Sequence, residues 1–174
     1  MSGPAVRRIV VGVNGSAESA VALRWACREA SLRGAEVYAV HVREAKCHSL
    51  ATYAVPAYAR AVKNAEADDI DAMWQSMLPG KGPGGQDVLE VQGVQVRTEV
   101  AEGLAARILL DRCADADMLV LGTASDVPGG GRPAGPVIRA LLRRAPCPVV
   151  VISTSMDPAA LDSRTAPARV PVGV

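Results

Sequence analysis

The chain has 174 residues, of which 49% are hydrophobic and 21% charged, and its formal net charge is +1. This length suits one domain with a sizeable core but not two ordinary domains. The near-neutral charge argues against nucleic acid or an anionic membrane as partner. No apolar run approaches the roughly 20 residues of a membrane helix, so we expect a cytoplasmic protein whose partner is a small molecule or another protein.

Short apolar runs alternate along the chain with segments of helical periodicity. Strands are predicted over Ile9–Val13, Val37–Val42, Val94–Val100, Met118–Leu121 and Pro148–Ile152. Amphipathic helices are predicted over Leu23–Ala30, Ile70–Met77, Ala106–Cys113 and Ile138–Ala145. Because each helix follows one strand and precedes the next, the pattern predicts βαβ crossovers and a doubly wound α/β domain with a parallel sheet between helices.

The boundaries of these elements carry the expected capping residues. Ser16 is a suitable N-cap for the first helix, Gly34 a suitable C-terminal stop, and Pro136 fits the first turn of the last helix. We predict one domain over residues 1–155 and a flexible tail over residues 156–174, where Pro, Ala, Arg and Asp mix without periodicity.

The four cysteines, Cys27, Cys47, Cys113 and Cys147, are scattered and form no Cys-x-x-Cys pair. This spacing argues against a zinc site and against a redox dithiol, and favours buried or incidental reduced thiols. Cys47 and His48 are adjacent but have no further Cys or His nearby, so we expect no metal of the protein's own.

Ligands of open parallel sheets bind beyond the carboxyl ends of the strands, where the strand order reverses. Here those ends are Gly12–Ser16, His41–Val42 and the glycine-rich loop that begins at Gly122. Glycines between a strand and a helix let backbone N–H groups approach a phosphate, and the helix N-terminus favours its negative charge. The P-loop motif does not explain the loop, because Pro136 stands where that motif needs Lys.

Three segments together resemble the universal stress protein family. They are Ile-Val-Val-Gly-Val-Asn-Gly-Ser, Ala-Val-His-Val, and Leu-Val-Leu-Gly-Thr followed by Arg-Arg-Ala-Pro-Cys-Pro-Val-Val-Val. The similarity covers roughly residues 6–153. It implies a five-stranded parallel sheet, in the order 3-2-1-4-5, and an adenine-nucleotide site. Transferred position by position, that site comprises Gly12, Val13, Asn14, Val42, Leu121, Gly122, Ser125, Gly135, Pro136 and Val137.

Three of these positions depart from the pattern of the ATP-binding members, Gly-x2-Gly-x9-Gly-Ser/Thr after the fourth strand and Asp after the first. Ser125 replaces the second Gly, Pro136 replaces the Ser or Thr, and Asn14 replaces the Asp. Pro136 lacks both a hydroxyl and a backbone N–H that would hold phosphate oxygens. We therefore expect ATP or another adenine nucleotide to bind weakly or not at all. Arg132, inside the loop, is a candidate to compensate.

The fifth predicted strand lies at a sheet edge, and the resemblance implies pairing of this edge across a two-fold axis. We expect a homodimer through that strand.

No nucleophile–base pair, paired carboxylates or metal cluster stands out in the sequence, which favours a non-enzymatic stress-response or regulatory protein. The alternative is an enzyme of the adenine nucleotide α-hydrolase group that binds or slowly hydrolyses ATP. The phosphate motif that such enzymes carry after the first strand is missing from Gly12–Ser16.

Overall fold

The computed structural model describes residues 7–43, 69–78, 88–91, 93–123 and 135–153. Its strands are β1 (Arg8–Val13), β2 (Glu36–Arg43), β3 (Val88–Val91), β4 (Val94–Glu102), β5 (Met118–Thr123) and β6 (Val149–Ser153). Its helices are α1 (Ala17–Arg33), α2 (residues 69–77), α3 (Ala105–Arg112) and α4 (Pro136–Arg144). Residues 44–68, residues 79–87 and the predicted tail over residues 156–174 lie outside the described residues.

The six strands form one sheet in the order β3-β4-β2-β1-β5-β6. The ladders that join β4, β2, β1, β5 and β6 are all parallel. These are the five predicted strands in the predicted order, so the α/β fold class is confirmed.

The remaining strand, β3, is a difference from the sequence-based expectation. It pairs antiparallel with β4, and Val91 lies opposite Val94 at the closed end of the hairpin. Gly93 follows with a φ of 77°, a conformation that glycine adopts without strain. The sheet is therefore mixed, with one short antiparallel strand at its edge.

Helix α1 begins and ends at the predicted residues. The Ser16 hydroxyl accepts a hydrogen bond from the Ser19 N–H, and Gly34 is left-handed with a φ of 65°, donating its N–H to the Ala30 carbonyl. Pro136 occupies the first turn of α4, as predicted. Ser16 fixes where the chain leaves β1 and enters α1, and Pro136 fixes where α4 begins. Both places border the candidate site.

The core consists of two apolar clusters, one on each face of the sheet. The first lies under α1 and α2, and its largest side chain is Trp74, which is 1% exposed. The second lies under α3 and α4 and includes Leu109, Leu119 and Leu141. Because both faces are covered at the centre of the sheet, β1 and β5 are apolar nearly throughout, as expected for parallel strands. β4, farther from the centre, alternates buried with exposed residues.

Candidate functional site

The carboxyl ends of β1, β2 and β5 meet at one edge of the sheet. Gly12 pairs with Val40 on one side and with Leu121 on the other. Val42 extends β2 one residue beyond the last β1–β2 pair, Val13 with His41. The strand ends predicted to surround a ligand are therefore adjacent.

Three apolar side chains lie at this edge of the sheet, those of Val42, Leu121 and Val137. We call them the apolar wall. Leu121 belongs to the cluster under α3 and α4, and Val42 and Val137 pack against that cluster while partly exposed. Gly12 lies behind the wall, where a Cβ would come within 2.8 Å of the Leu121 Cδ2 atom. The side chain of Val13 is buried in the opposite cluster, so only its backbone faces this edge.

The loop between β1 and α1 is held by its own polar groups. The Asn14 Oδ1 atom accepts a hydrogen bond from the Ser16 N–H at 3.1 Å. The Ser19 hydroxyl donates to the Ser16 carbonyl at 2.9 Å and accepts from the Asn14 N–H at 3.4 Å. Asn14 itself is exposed. Its side-chain oxygen thus has a partner within the loop, and its amide NH2 is the group it can present to a ligand.

His41 stands beside this loop and is partly buried. Its Nδ1 atom lies 3.0 Å from the Val13 carbonyl oxygen. Because a carbonyl only accepts, Nδ1 carries the hydrogen in this arrangement. The imidazole therefore joins the end of β2 to the end of β1.

Gly122 has a packing role that the sequence did not indicate. A Cβ at this position would lie 2.3 Å from the carbonyl oxygen of Glu18 and 2.7 Å from the Ser19 nitrogen. The end of β5 thus touches the backbone of the first turn of α1. This contact requires glycine whether or not a phosphate binds there.

The N-terminus of α4 carries the clearest departure from a phosphate site. Gly135 is the N-cap, makes no side-chain cap hydrogen bond and has open space where a Cβ would stand. Pro136 follows as the first helical residue and has no N–H to donate. Ser125 and Arg132, the other loop positions singled out from the sequence, lie outside the described residues.

A polar cluster on the α3 and α4 face was missed by sequence reasoning. The Tyr38 hydroxyl donates to Glu99 Oε2 at 2.6 Å, and Arg112 donates two hydrogen bonds to the same carboxylate at 2.8 and 2.6 Å. The Arg112 hydrogen bond holds the pKa of Glu99 below its ordinary value, while burial and the Glu99 contact raise that of Tyr38. Spacing cannot reveal this cluster, since its members come from three separate elements.

Two thiols also meet across elements. Cys113 is the buried C-cap of α3, and Cys147 precedes β6 and packs against the same apolar cluster. Burial and the nearby Cys147 thiol raise the pKa of Cys113, and both cysteines are free thiols. The expected buried, reduced thiols are confirmed at Cys27 and Cys113. The sequence spacing did not indicate that the fold places Cys147 near Cys113.

Within the described ranges, no three His, Cys, Asp or Glu side chains are grouped so as to hold a metal ion. In that same part of the chain, no helix is both long and apolar enough to cross a membrane.

The sequence matches the model of one known protein family. The model of the Universal stress protein family matches residues 5–153. The chain belongs to the universal stress protein family. A universal stress protein of Mycolicibacterium smegmatis is 36% identical over 156 residues, which is 90% of this chain and 51% of the relative. The chain thus spans about half the length of the relatives it matches.

Solved universal stress proteins share the fold. UspA from Lactobacillus plantarum superposes with a TM-score of 0.59 at 20% identity, covering 86% of this chain and 99% of the other. A universal stress protein solved in complex with cAMP gives a TM-score of 0.52 at 20% identity, covering 87% and 99% of the two chains. These similarities support the α/β architecture of the family.

Proposed function

We propose that this universal stress protein is a non-enzymatic stress-response or regulatory protein whose adenine-nucleotide site is weakened. The observation that carries the proposal is Pro136 at the first position of α4. A Ser or Thr there would supply a backbone N–H and a hydroxyl at the positive end of the helix. Each lost hydrogen bond to a charged group costs about 1.5–3 kcal/mol, which corresponds to roughly a tenfold to hundredfold loss of affinity.

The apolar wall supports adenine as the part of a ligand that still fits. Val42 and Val137 are partly exposed at the carboxyl edge of the sheet, next to Leu121, and apolar surface of this kind suits the face of a nucleobase. A universal stress protein of the same fold was solved in complex with cAMP, so adenine nucleotides are the ligand class to test.

Asn14, in place of Asp, weakens the hydrogen bond that the same site could offer to a ribose. An Asp would offer a charged acceptor to a ribose hydroxyl, and charge-assisted hydrogen bonds are about twice as strong as neutral ones. The Asn14 oxygen is also the acceptor for the Ser16 N–H, so a ribose would compete with the loop for it.

Calorimetry with ATP, ADP, AMP and cAMP tests the proposal directly. We expect the native chain to bind with a Kd above about 100 μM. The variant Asn14→Asp/Ser125→Gly/Pro136→Ser restores the family pattern, and we expect it to bind ATP at least about tenfold more tightly.

Pro146→Ser is the matched control for Pro136→Ser, since Pro146 is exposed beyond the opposite end of α4. It should leave affinity unchanged. Micromolar binding by the native chain would show that the site is not weakened. A restored variant that binds no better than the native chain would show that the motif positions do not form a nucleotide site.

The alternative function is slow ATP hydrolysis by an enzyme of the adenine nucleotide α-hydrolase group. Release of inorganic phosphate from ATP, followed for the native and restored chains, separates the two functions. We expect no turnover by either chain. Hydrolysis that increases with the restored affinity would favour the enzyme.

We also propose a homodimer through the β6 edge. Among the described strands β6 pairs only with β5. The Leu119 N–H donates to the Pro148 carbonyl at 2.9 Å, and because hydrogen bonding alternates along a strand, Val149 and Val151 direct their backbone groups away from β5. This free row of donors and acceptors can pair with a second copy.

Val151→Pro removes one outward N–H and leaves the β5 ladder intact. We expect the native chain to sediment as a dimer at about 10 μM and the variant as a monomer. Val151→Thr keeps both the N–H and the branched side chain, so it should remain dimeric. A native monomer, or a dimer that is unaffected by Val151→Pro, would contradict the proposed interface.

A further inference from the structure

The contact between Cys113 and Cys147 is the feature of the molecule that neither the family nor the proposed function accounts for. Cys113 is fully buried at the end of α3, and Cys147 is partly exposed in the segment that enters β6. Both pack in the cluster under α3 and α4, near enough for each thiol to affect the pKa of the other. Two free thiols that are neighbours in the fold can form a disulfide if their sulfur atoms approach.

We propose that Cys147 and Cys113 form a reversible oxidation site: a peroxide oxidises the partly exposed Cys147, and the buried Cys113 then resolves it to an intramolecular disulfide. The oxidant is hydrogen peroxide or an organic hydroperoxide, and a dithiol reverses the reaction.

Access to solvent assigns the two roles. Cys147 is partly exposed and Cys113 is buried, so Cys147 is the sulfur that a small oxidant reaches first. Burial raises the pKa of both thiols, that of Cys113 to about 12, so the reaction is faster at alkaline pH. The thiolate is the attacking species in such reactions.

The chemistry balances with one peroxide per pair. The Cys147 thiolate attacks one peroxide oxygen, the O–O bond breaks, and the departing hydroxide takes up the proton released by Cys147 to become water. Cys147 is then a sulfenic acid. The Cys113 sulfur attacks the Cys147 sulfur, the S–O bond breaks, and the hydroxyl group leaves as water with the Cys113 proton. Two thiols are oxidised by two electrons, and one hydrogen peroxide is reduced to two waters.

The disulfide would enclose the part of the chain that carries the candidate nucleotide site. β5, Gly135 and α4 all lie between Cys113 and Cys147 in the sequence. Oxidation therefore ties the end of α3 to the start of β6 and restrains this segment. A cross-link that closes a long loop lowers the entropy of the unfolded chain, so the oxidised protein should melt about 5 °C or more above the reduced protein.

The test uses Cys47→Ser as the background, since Cys47 lies outside the described residues. The reduced protein is incubated with hydrogen peroxide at about pH 8.5, where raised thiol pKa values still permit reaction within hours. Free thiols are then alkylated and the peptides mapped by mass spectrometry. We expect a Cys113–Cys147 cross-linked peptide, an unmodified Cys27, and complete return of both thiols after dithiothreitol.

Two single variants test the order of the steps. Cys113→Ala keeps the site apolar, and we expect Cys147 to accumulate as a sulfenic acid that dimedone traps. Cys147→Ser should leave Cys113 reduced under the same conditions. Cys27→Ser is the matched control, because Cys27 is buried in the opposite cluster. This variant should form the Cys113–Cys147 disulfide in the same yield as the Cys47→Ser background protein. The proposal fails if the folded background protein keeps all its thiols, or if dimedone labels Cys113 first.

Discussion

The face of the sheet under α1 and α2 packs around a buried tryptophan, whereas the face under α3 and α4 carries a cluster of Arg112, Glu99 and Tyr38 in addition to its apolar side chains. On the first face Trp74 and Leu23 are almost fully buried. On the second face Glu99 joins β4 to α3 through Arg112, and two thiols lie near each other. The first face is joined to its helices mainly by packing, and the second by packing together with a charged side-chain cluster.

The same difference appears at the edge of the sheet where the candidate site lies. Gly122 meets the backbone of α1 on the first face, while Gly12 meets the Leu121 side chain on the second. A backbone cannot move aside, but the end of a leucine side chain can. The α3 and α4 face is therefore the more adaptable of the two, and it is the face that carries the apolar wall.

The largest expected effect is the loss of Trp74 from the first face. Trp74→Ala removes the largest fully buried side chain and leaves a cavity between α2 and the sheet. We expect a loss of about 3–5 kcal/mol in the free energy of unfolding, measured by urea denaturation with circular dichroism. Gln75→Ala, on the exposed side of α2, should change stability by less than about 0.5 kcal/mol. Equal effects would mean that α2 does not contribute to the core.

The second prediction compares the two glycines directly. Gly122→Ala places a Cβ 2.3 Å from the Glu18 carbonyl oxygen, so α1 and β5 must separate. We expect a loss of about 2–3 kcal/mol. Gly12→Ala meets the Leu121 Cδ2 atom at 2.8 Å, which a rotamer change relieves at about 1 kcal/mol.

Gly135→Ala is the control for this series, because nothing lies within 4 Å of the added Cβ. Its stability should match that of the native chain within about 0.5 kcal/mol. If Gly122→Ala is no worse than Gly135→Ala, the tight contact between β5 and α1 is absent in solution.

The elements of both faces were predictable from the sequence. Apolar periodicity identified the strands and the four helices, and Ser16, Gly34 and Pro136 marked their ends, because local chemistry determines all of these features. The antiparallel strand β3 was missed since it is only four residues long. The nearby Gly93 was the available signal for a hairpin.

The second face could not be predicted at the level of contacts. Tyr38 and Arg112 are distant in sequence and meet at the Glu99 carboxylate, and Cys113 and Cys147 come from opposite ends of the segment that contains β5 and α4. The motif spacing did identify the candidate site, but it could not show that Gly122 contacts α1. Long-range contacts of this kind depend on helix placement rather than on any local pattern.

The smallest predicted effect concerns the polar cluster on the second face. Glu99→Gln removes the charge that Arg112 and the Tyr38 hydroxyl contact. Because Arg112 is partly exposed, we expect a loss of only about 1 kcal/mol at neutral pH. The folded state lowers the pKa of Glu99, so this contribution is present above the unfolded value of about 4.3 and disappears as the pH falls through the folded value.

Urea denaturation at a series of pH values measures this contribution. The native chain should exceed Glu99→Gln in stability at pH 7, and the difference should shrink below about pH 4. Tyr38→Phe removes one hydrogen bond but leaves the pair between Glu99 and Arg112. It should therefore lower stability at neutral pH, while most of the fall in stability between neutral and low pH remains. A difference between native and Glu99→Gln that is constant from pH 7 to 3 would show that Glu99 contributes through packing rather than through its charge.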